Sequence, residues 1–206
     1  MEVKLLLNGS YIARANSYGV TSDKAALVID CGKCDLPIIN FLNDNADKSR
    51  LILLTHAHYD HILGAQELRK KTGVPILIGK TESAKMCDPD YNLSGRLRRT
   101  IGEFKPDYTV SDEETVTVGD IKVKAYEMPG HTKGSMVYLI GDNLFSGDTL
   151  FKNSIGRTDL PSGNSDDMRT SLDRIMWLFG DEIKVFPGHD EATTIAAERR
   201  NNPYLR

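Results

Sequence analysis

The sequence predicts an α/β protein of the α+β type, with mostly antiparallel sheets and helices packed outside them. Three observations lead to this fold class. The first part of the chain mixes short strands with helices, the middle is rich in hairpin signals, and the end returns to helix, strand and helix. The 206 residues contain no internal repeat and are enough for one domain with its own core, which we expect to span 1–206.

The early elements are predicted from apolar runs and from the residues that flank them. Strands are expected at 25–30 and 50–55, because both runs are apolar and too short for a typical helix. A helix follows the first strand, with Asp35 as its N-cap and Pro37 in its first turn. A second helix is expected over 61–73, where helical spacing of apolar residues ends at a glycine.

The later elements alternate between hairpins, strands and helices. They are a strand at 74–79, hairpins at 115–130 and 134–149, a helix that starts at a capping Ser165, a strand at 182–188 and a helix at 191–202. Turn signals at Gly119-Asp120 and near Asp142-Asn143 divide the two hairpins. The polar stretch 87–107 is predicted to be a long surface loop, either a lid over a site or an irregular connection.

Composition excludes several classes of function. The formal net charge is −3, which gives no support for a nucleic-acid or anionic-membrane partner. No apolar run resembles a signal peptide or a membrane span, and three cysteines cannot form a disulfide framework, so we expect a protein of the reducing cytoplasm. Cys31 and Cys34 could form a redox pair, but two ordinary thiols are the simpler interpretation.

One loop concentrates the chemistry of the chain. The segment THAHYDH, residues 55–61, follows a buried-looking apolar run and contains three of the five histidines. In an extended segment alternate side chains share one side, so His56, His58 and Asp60 can converge. Asp60 can also cap the helix that follows, and that turn would bring His61 towards the same space. Imidazole and carboxylate together suit zinc, iron or manganese.

The remaining histidines also follow predicted strands. His131 lies in MPGHTKGS, His189 in VFPGHD, and Asp148 in LFSGDTLF. Each alone could reflect turn chemistry, but together they place every histidine of the chain at a strand end, where a rigid sheet presents side chains to a site. Seven candidate ligands exceed the needs of one tetrahedral metal, so we predict two adjacent divalent ions, with zinc favoured over iron or manganese.

The segments THAHYDHILG, GHTKGS, SGDTLF and PGH occur in an order that resembles the metallo-β-lactamase superfamily. IGRTDLPSG and TTIAAERRNNPYL are similar to the glyoxalase II-related hydrolases, in particular their compact single-domain branch. The resemblance implies a four-layer αββα sandwich with the metals at one edge, between the sheets. It also implies a set of ligands: His56, His58 and His131 for one metal, Asp60, His61 and His189 for the other, and Asp148 as a bridge.

The expected activity is hydrolysis by a hydroxide that bridges two metals roughly 3.5–4 Å apart, with Asp60 orienting the hydroxide. The chain has no G-x-S-x-G nucleophile elbow. The resemblance implies a small-molecule thioester substrate of the hydroxyacylglutathione type. At Arg157 the matching glyoxalase II residue is basic and contacts the carboxylate of the thiol. The alternative for Arg157 is a structural role, pairing with Asp159 or capping a turn.

The hydrolase has three alternatives. A persulfide dioxygenase of the same fold would hold a single iron on His56, His131 and Asp148. Leu160-Pro161 in GRTDLPSG is more similar to the hydrolase branch. A true β-lactamase is not expected, because those enzymes do not usually have the full H-x-H-x-D-H with a bridging aspartate. A non-catalytic metal-binding module would be expected to have lost ligands, and none is lost.

Overall fold

The computed structural model describes residues 1–9, 15–97 and 101–205 and contains two six-stranded sheets. In spatial order, the strands of the first sheet are β1 (Glu2–Leu7), β2 (Ser17–Thr21), β3 (Ala25–Ile29), β4 (Ser49–Leu54), β5 (Ile76–Gly79) and β6 (Tyr108–Val110). Those of the second sheet are β14 (Thr193–Thr194), β13 (Lys184–Pro187), β10 (Asn143–Gly147), β9 (Met136–Ile140), β8 (Ile121–Glu127) and β7 (Thr115–Val118). A separate small hairpin is formed by β11 (Leu150–Phe151) and β12 (Ser154–Ile155).

Within the described residues, six α-helices accompany the sheets. They are α1 (Leu36–Asp44), α2 (Tyr59–Ile62), α3 (Ala65–Thr72), α4 (Lys80–Ser83), α5 (Ser165–Leu178) and α6 (Ile195–Asn201). Short 3₁₀ segments occur at Ser94–Leu97 and Pro203–Leu205. Among the described helices, none is long and apolar enough to cross a membrane.

Three buried clusters separate four layers. Ile38 and Leu42 of α1 and Leu68 of α3 pack on the outer face of the first sheet. Between the sheets, a second cluster joins side chains of β3 and β4 to those of β8, β9 and β10. Met168 and Leu172 of α5 cover the outer face of the second sheet. The order helix, sheet, sheet, helix confirms the predicted αββα sandwich, whose apolar layers exclude water from both faces of each sheet.

The direction of the strands differs from the prediction in the first sheet. There β3, β4, β5 and β6 are paired in parallel, and only β1 and β2 add antiparallel pairs. Parallel neighbours need a crossover, and α1 and α3 supply two of them on the outer face. In the second sheet, β10 and β13 are the one parallel pair and the others are antiparallel, as expected from the hairpins.

Both predicted hairpins form, with turns at Gly119-Asp120 and at Gly141-Asp142. The Asp35 cap of α1 is confirmed by its bond to the Leu36 amide. The single helix expected over 61–73 is instead two, α2 and α3, interrupted at Leu63-Gly64. The final helix is shorter than expected, because Thr193–Thr194 pair with β13 before α6 begins. Strands β1 and β2 were not predicted.

Two predicted capping residues are wrong. Asp60 lies inside the first turn of α2, whose N-cap position is held by His58. The Tyr59 amide that a cap could serve donates to Asn92 O at 2.8 Å, a partner far away in sequence. At α5 the cap is Asn164, whose Oδ1 accepts from two amides of the first turn, so Ser165 is the first helical residue.

The segment 87–107 is less exposed than a surface loop. Tyr91, Asn92, Leu93 and Ser94 are buried, and Leu93 faces the cleft described below. Positions 98–100 of this predicted loop lie outside the described residues. The described part therefore forms a wall of the cleft, and its role as a lid stays a prediction.

Candidate metal centre

The loop after β4 has a rigid base. The four residues of β4 before it, 51–54, are buried. The carboxylate of Asp30, at the end of β3, accepts from the Thr55 amide at 2.8 Å and from the Thr55 hydroxyl at 2.8 Å. These bonds fix the backbone where β4 ends, so His56 and the residues after it leave the sheet in a defined direction.

Three histidines meet on one side of the cluster. His58 Nδ1 lies 3.1 Å from His56 Nε2 and 2.9 Å from His131 Nε2. His131 comes from the loop after β8, and its Nδ1 lies 2.8 Å from the carbonyl oxygen of Arg157. Because a carbonyl can only accept, Nδ1 carries the proton and Nε2 presents a lone pair to the cluster.

A second group forms beside the first, from Asp60, His61 and His189. Asp60 Oδ2 lies 3.2 Å from His189 Nε2 and 3.9 Å from His61 Nε2. His61 Nδ1 lies 2.7 Å from Asp30 Oδ2, which fixes its proton on Nδ1 and leaves Nε2 facing the group. Within each of the two groups, the possible ligand atoms lie within 4.8 Å of one another.

Asp148 lies between the two groups, at the end of β10. Its Oδ1 is 3.3 Å from His61 Nε2, and its Oδ2 is 3.4 Å from His131 Nε2 and 3.5 Å from His189 Nε2. Asp148 also completes a third set of close ligand atoms with His56 and His61. The structure thus brings all seven predicted residues together, with one carboxylate in contact with both groups.

Burial makes His56 and His58 poor bases, whereas nearby carboxylates have the opposite effect on His61. Burial, reinforced by the neighbouring His131, lowers the pKa of His58 to about 3. The pKa of His56 is lowered well below its usual value by burial and by the imidazoles around it. Burial alone would lower the pKa of His61, but the Asp148 and Asp30 carboxylates outweigh it and raise that pKa well above its usual value. His56 and His58 are therefore neutral imidazoles, the form that binds metals.

The residues fit a pair of divalent cations. His61 Nε2 and Asp148 Oδ1 are buried and face each other at 3.3 Å, yet within the described chain neither makes a hydrogen bond of good geometry. On the other side, His58 Nδ1 lies within 3.1 Å of the Nε2 atoms of both His56 and His131, so three imidazole nitrogens face one another. Buried polar atoms without partners are costly, and inward-facing lone pairs and carboxylate oxygens are the donor set that zinc and iron prefer.

Sequence reasoning missed the residues that hold the ligands in place. Asp30 was assigned only to a strand, although a carboxylate at a strand end is the same signal that identified Asp148. Asn16 Nδ2 donates to the carbonyls of Pro187 and Asp190, and the Tyr18 hydroxyl donates to that of Pro187. Through these bonds β2 and the residue before it hold the loop that carries His189.

Gly188 allows the closest approach in the centre. A Cβ at this position would lie 2.3 Å from Asp148 Oδ1 and 2.7 Å from His61 Cε1. Any side chain there would displace two of the predicted ligands. The PGH motif thus has a steric reason for its glycine, in addition to placing His189.

A cleft opens over the cluster. Its walls include Tyr59, Leu93, Phe151, Ile155 and Leu160. The predicted substrate residue, Arg157, also lines the cleft, but its exposed guanidinium makes two 2.7 Å bonds to the Asp159 carboxylate. The contact named as the structural alternative is therefore present, and substrate binding by Arg157 stays a prediction.

Asp190 and the two early cysteines lie around this centre. Asp190 has a left-handed backbone with φ of 63°, in a conformation that glycine adopts without strain. Cys31 is buried and Cys34 is half-buried. The Cys31 amide donates to the His61 carbonyl at 2.7 Å, so the CGKC segment packs against the metal loop. The assignment of Cys31 and Cys34 as ordinary thiols stays a prediction.

An αββα sandwich with a cluster of histidine and aspartate side chains at the strand ends defines a class of metal-dependent proteins. Residues 13–189 match the Metallo-beta-lactamase superfamily, and the chain belongs to that superfamily.

Three similar proteins show how closely the whole chain follows the family. It is 33% identical over 195 residues to the probable metallo-hydrolase YqgX of Bacillus subtilis, covering 93% of this chain and 92% of that protein. It is 31% identical to the hydroxyacylglutathione hydrolase GloC of Haemophilus influenzae, covering 89% and 88%. The crystal structure of the BLEG-1 B3 metallo-beta-lactamase superposes with a TM-score of 0.88 at 34% identity over 99% of both chains. The protein is thus a metallo-hydrolase of this superfamily with a His/Asp metal site.

Proposed function

We propose that this protein hydrolyses small-molecule thioesters of the hydroxyacylglutathione type and uses two divalent metal ions. The observation that carries the proposal is the arrangement of the seven ligand candidates. Two groups of three, each within 4.8 Å, stand side by side, and Asp148 contacts members of both. Similarity to the GloC hydrolase over 89% of the chain supports the thioester as substrate class.

Residues of the chain would hold the two ions as the resemblance implies: His56, His58 and His131 for one, Asp60, His61 and His189 for the other, and Asp148 for both. When bound, such ions supply Lewis acidity to a carbonyl group and to water. A thioester suits this chemistry because a thiolate leaves without a strong general acid. No serine or cysteine nucleophile is then required.

Asp60 has a role beyond holding metal, and the orientation of His131 depends on a neighbouring loop. The Asp60 carboxylate is partly exposed, at 17%, and lies at the floor of the cleft beside His189. From there it can accept a hydrogen bond from an attacking water and orient it, a catalytic role beyond that of a ligand. His131 is oriented by the Arg157 carbonyl, so movement of the loop around Arg157 would also move a ligand.

The cleft suits an acyl group next to the metals and a polar thiol farther out. Leu93, Ile155 and Leu160 offer apolar contact, whereas Arg157 lies at the exposed end. An arginine fork pairs well with a carboxylate, so the proposed substrates are thioesters whose thiol portion is anionic.

The test begins with metal content. Protein purified without chelator is analysed for metals, then stripped and reloaded separately with zinc, manganese and iron. Each form is assayed with S-lactoylglutathione and with an uncharged thioester. We expect two metals per chain and fastest thioester cleavage with zinc. Full thioesterase activity in the stripped protein would contradict the proposal.

A second candidate is β-lactam hydrolysis, because a protein described as a B3 metallo-beta-lactamase has the same fold over 99% of the chain. Assay of the zinc form with a chromogenic cephalosporin separates the two. Efficient turnover of the cephalosporin with slow thioester cleavage would replace the thioester by the lactam as the substrate class.

A further inference from the structure

Glu82 is a completely buried carboxylate outside the cluster of predicted ligands. It lies in α4, the short helix that follows β5. Burial raises the pKa of Glu82, and the hydrogen bonds it accepts oppose that rise. A charged side chain is kept in such a place only where its oxygens are well hydrogen-bonded, so its partners indicate its purpose.

Four donors converge on this carboxylate. The Ala57 amide donates to Oε2 at 2.7 Å. The other oxygen, Oε1, accepts from the Tyr91 hydroxyl at 2.5 Å, the Thr132 hydroxyl at 2.8 Å and the Gly134 amide at 3.1 Å. Glu82 therefore joins three segments that are distant in sequence.

The positions of these donors relate Glu82 to one group of ligands. Ala57 is the residue between His56 and His58, and Thr132 directly follows His131. The first loop belongs to one sheet and the second loop to the other. One carboxylate thus fixes the backbone beside all three histidines of the first group.

The Gly134 loop is shaped for this contact. A Cβ at Gly134 would lie 3.0 Å from Glu82 Oε1 and 2.6 Å from the Cβ of Thr81. The glycine lets the backbone amide come within hydrogen-bond distance of the carboxylate.

The third segment that Glu82 joins is the wall of the cleft. Tyr91 lies two residues before Leu93, which lines the cleft. Between them, the Asn92 carbonyl accepts from the Tyr59 amide at 2.8 Å. The wall is therefore fixed both to the metal loop and to the carboxylate behind it.

We propose that Glu82 is a positioning residue for the metal held by His56, His58 and His131, and that it acts directly on this metal alone. Asp30 has the equivalent place behind the other metal, since it bonds His61 directly. The inference deepens the proposed function, because it requires that both groups bind a metal.

Glutamine at position 82 tests this with little change in volume. Three donors face Oε1, so the amide oxygen of Gln is expected to take that place. Its NH₂ group then faces the Ala57 amide, which is itself a donor. The backbone between His56 and His58 must move or lose its partner, whereas His61 and His189 are untouched.

The experiment uses the full chain, stripped of metal and titrated with Zn²⁺ against a chromogenic chelator. A parallel titration with Co²⁺ follows the visible absorption of each site. Glu82→Gln is expected to lower the affinity for one of the two ions about ten- to hundred-fold, which is the range for loss of a residue that supports a ligand. The affinity for the other ion should fall by a clearly smaller factor, because only the shared Asp148 connects that ion to the first group. Asp30→Asn should lower the affinity for the opposite ion more than that for the first, because Asp30 bonds His61 directly and reaches His56 only through Thr55.

Glu198→Gln is the matched control. Glu198 is equally buried and accepts from the Asn153 amide, the Thr193 hydroxyl and the Asn202 amide group, away from the three histidines. Its variant should lower the melting temperature as Glu82→Gln does, yet leave both metal affinities unchanged. If Glu82→Gln fails to fold, Glu82→Asp serves instead, because the shorter carboxylate cannot span the two loops and should weaken the same ion.

The inference would be overturned if Glu82→Gln lowered the affinity for both ions equally, or if Glu198→Gln lost metal to the same extent. Either result would show that Glu82 supports only the fold in general. If two ions bind tightly but no thioester is cleaved, the proposed function is wrong and the role of Glu82 is unaffected. If both ions bind tightly and Glu82→Gln changes neither affinity, the inference about Glu82 is wrong and the proposed function is unaffected.

Discussion

Asp30→Asn should show whether Asp30 orients the ligand His61 or only stabilises the fold. The Thr55 amide can only donate, so the Asn oxygen must face it and the NH₂ group must face His61 Nδ1. His61 can then pair with the NH₂ group only by moving its proton from Nδ1 to Nε2. Nε2 is the atom that faces Asp60 and Asp148, and a protonated nitrogen cannot bind a cation.

The expected loss is about ten- to hundred-fold in the affinity of one metal, or about 1.4–2.7 kcal/mol. The metal-free protein should lose about 1–2 kcal/mol, because charge-assisted bonds to Thr55 and His61 become neutral ones. Zinc titration of stripped protein measures the first quantity, and denaturant unfolding in the presence of chelator measures the second. Wild-type affinity for both metals, combined with reduced stability, would show that Asp30 supports only the fold.

Three further outcomes follow from the centre and its cleft. Asp148→Ala should remove most of the bound metal and of the activity, because it deletes the one carboxylate in contact with both groups. Thioester cleavage should proceed without oxygen, since the candidate ligands form two adjacent groups. Arg157→Met should raise KM several-fold for anionic thioesters and leave metal content unchanged. Hydrogen bonding to Arg157 lowers the pKa of Asp159 to about 2, so the ion pair stays charged above that pH and the KM effect should not vary between about pH 5 and 8.

Each of these has a clear contrary result. Two metals per chain in Asp148→Ala would refute its bridging position. Oxygen uptake with a glutathione persulfide, together with inert thioesters, would favour the mononuclear iron dioxygenase. Equal KM effects of Arg157→Met on charged and uncharged thioesters, or a lower melting temperature, would show that Arg157 holds its loop through Asp159.

The parts of the molecule that sequence could predict are those with a local signal. The hairpin at Gly119-Asp120 joins strands that are neighbours in both sequence and space, so a turn and an alternating pattern were sufficient. The same holds for the loop with His56, His58 and His61, where the spacing of chemistry-bearing residues is visible within a few positions. Family resemblance then supplied the order of the layers.

The parts that could not be predicted depend on contacts between distant segments. The parallel pairing of β3 with β4, and of β4 with β5, is set by helices that cross between them. Asp30 and Glu82 each reach the metal loop from 25 residues away, and a single carboxylate has no spacing pattern. Asp60 looked like a helix cap because aspartate before a helical pattern is a common N-cap, but α2 already begins at Tyr59.

The division of the ligands between the two sheets has a consequence for folding. Two members of each group come from the segment that follows β4 of the first sheet. The third member, His131 or His189, follows a strand of the second sheet. A bound ion would therefore cross-link the two halves of the chain. At a free metal concentration one hundred times the dissociation constant, each such cross-link adds about 2.7 kcal/mol to the stability of the joined state. Metal supply would then govern how firmly the two sheets stay together, as well as the rate of hydrolysis.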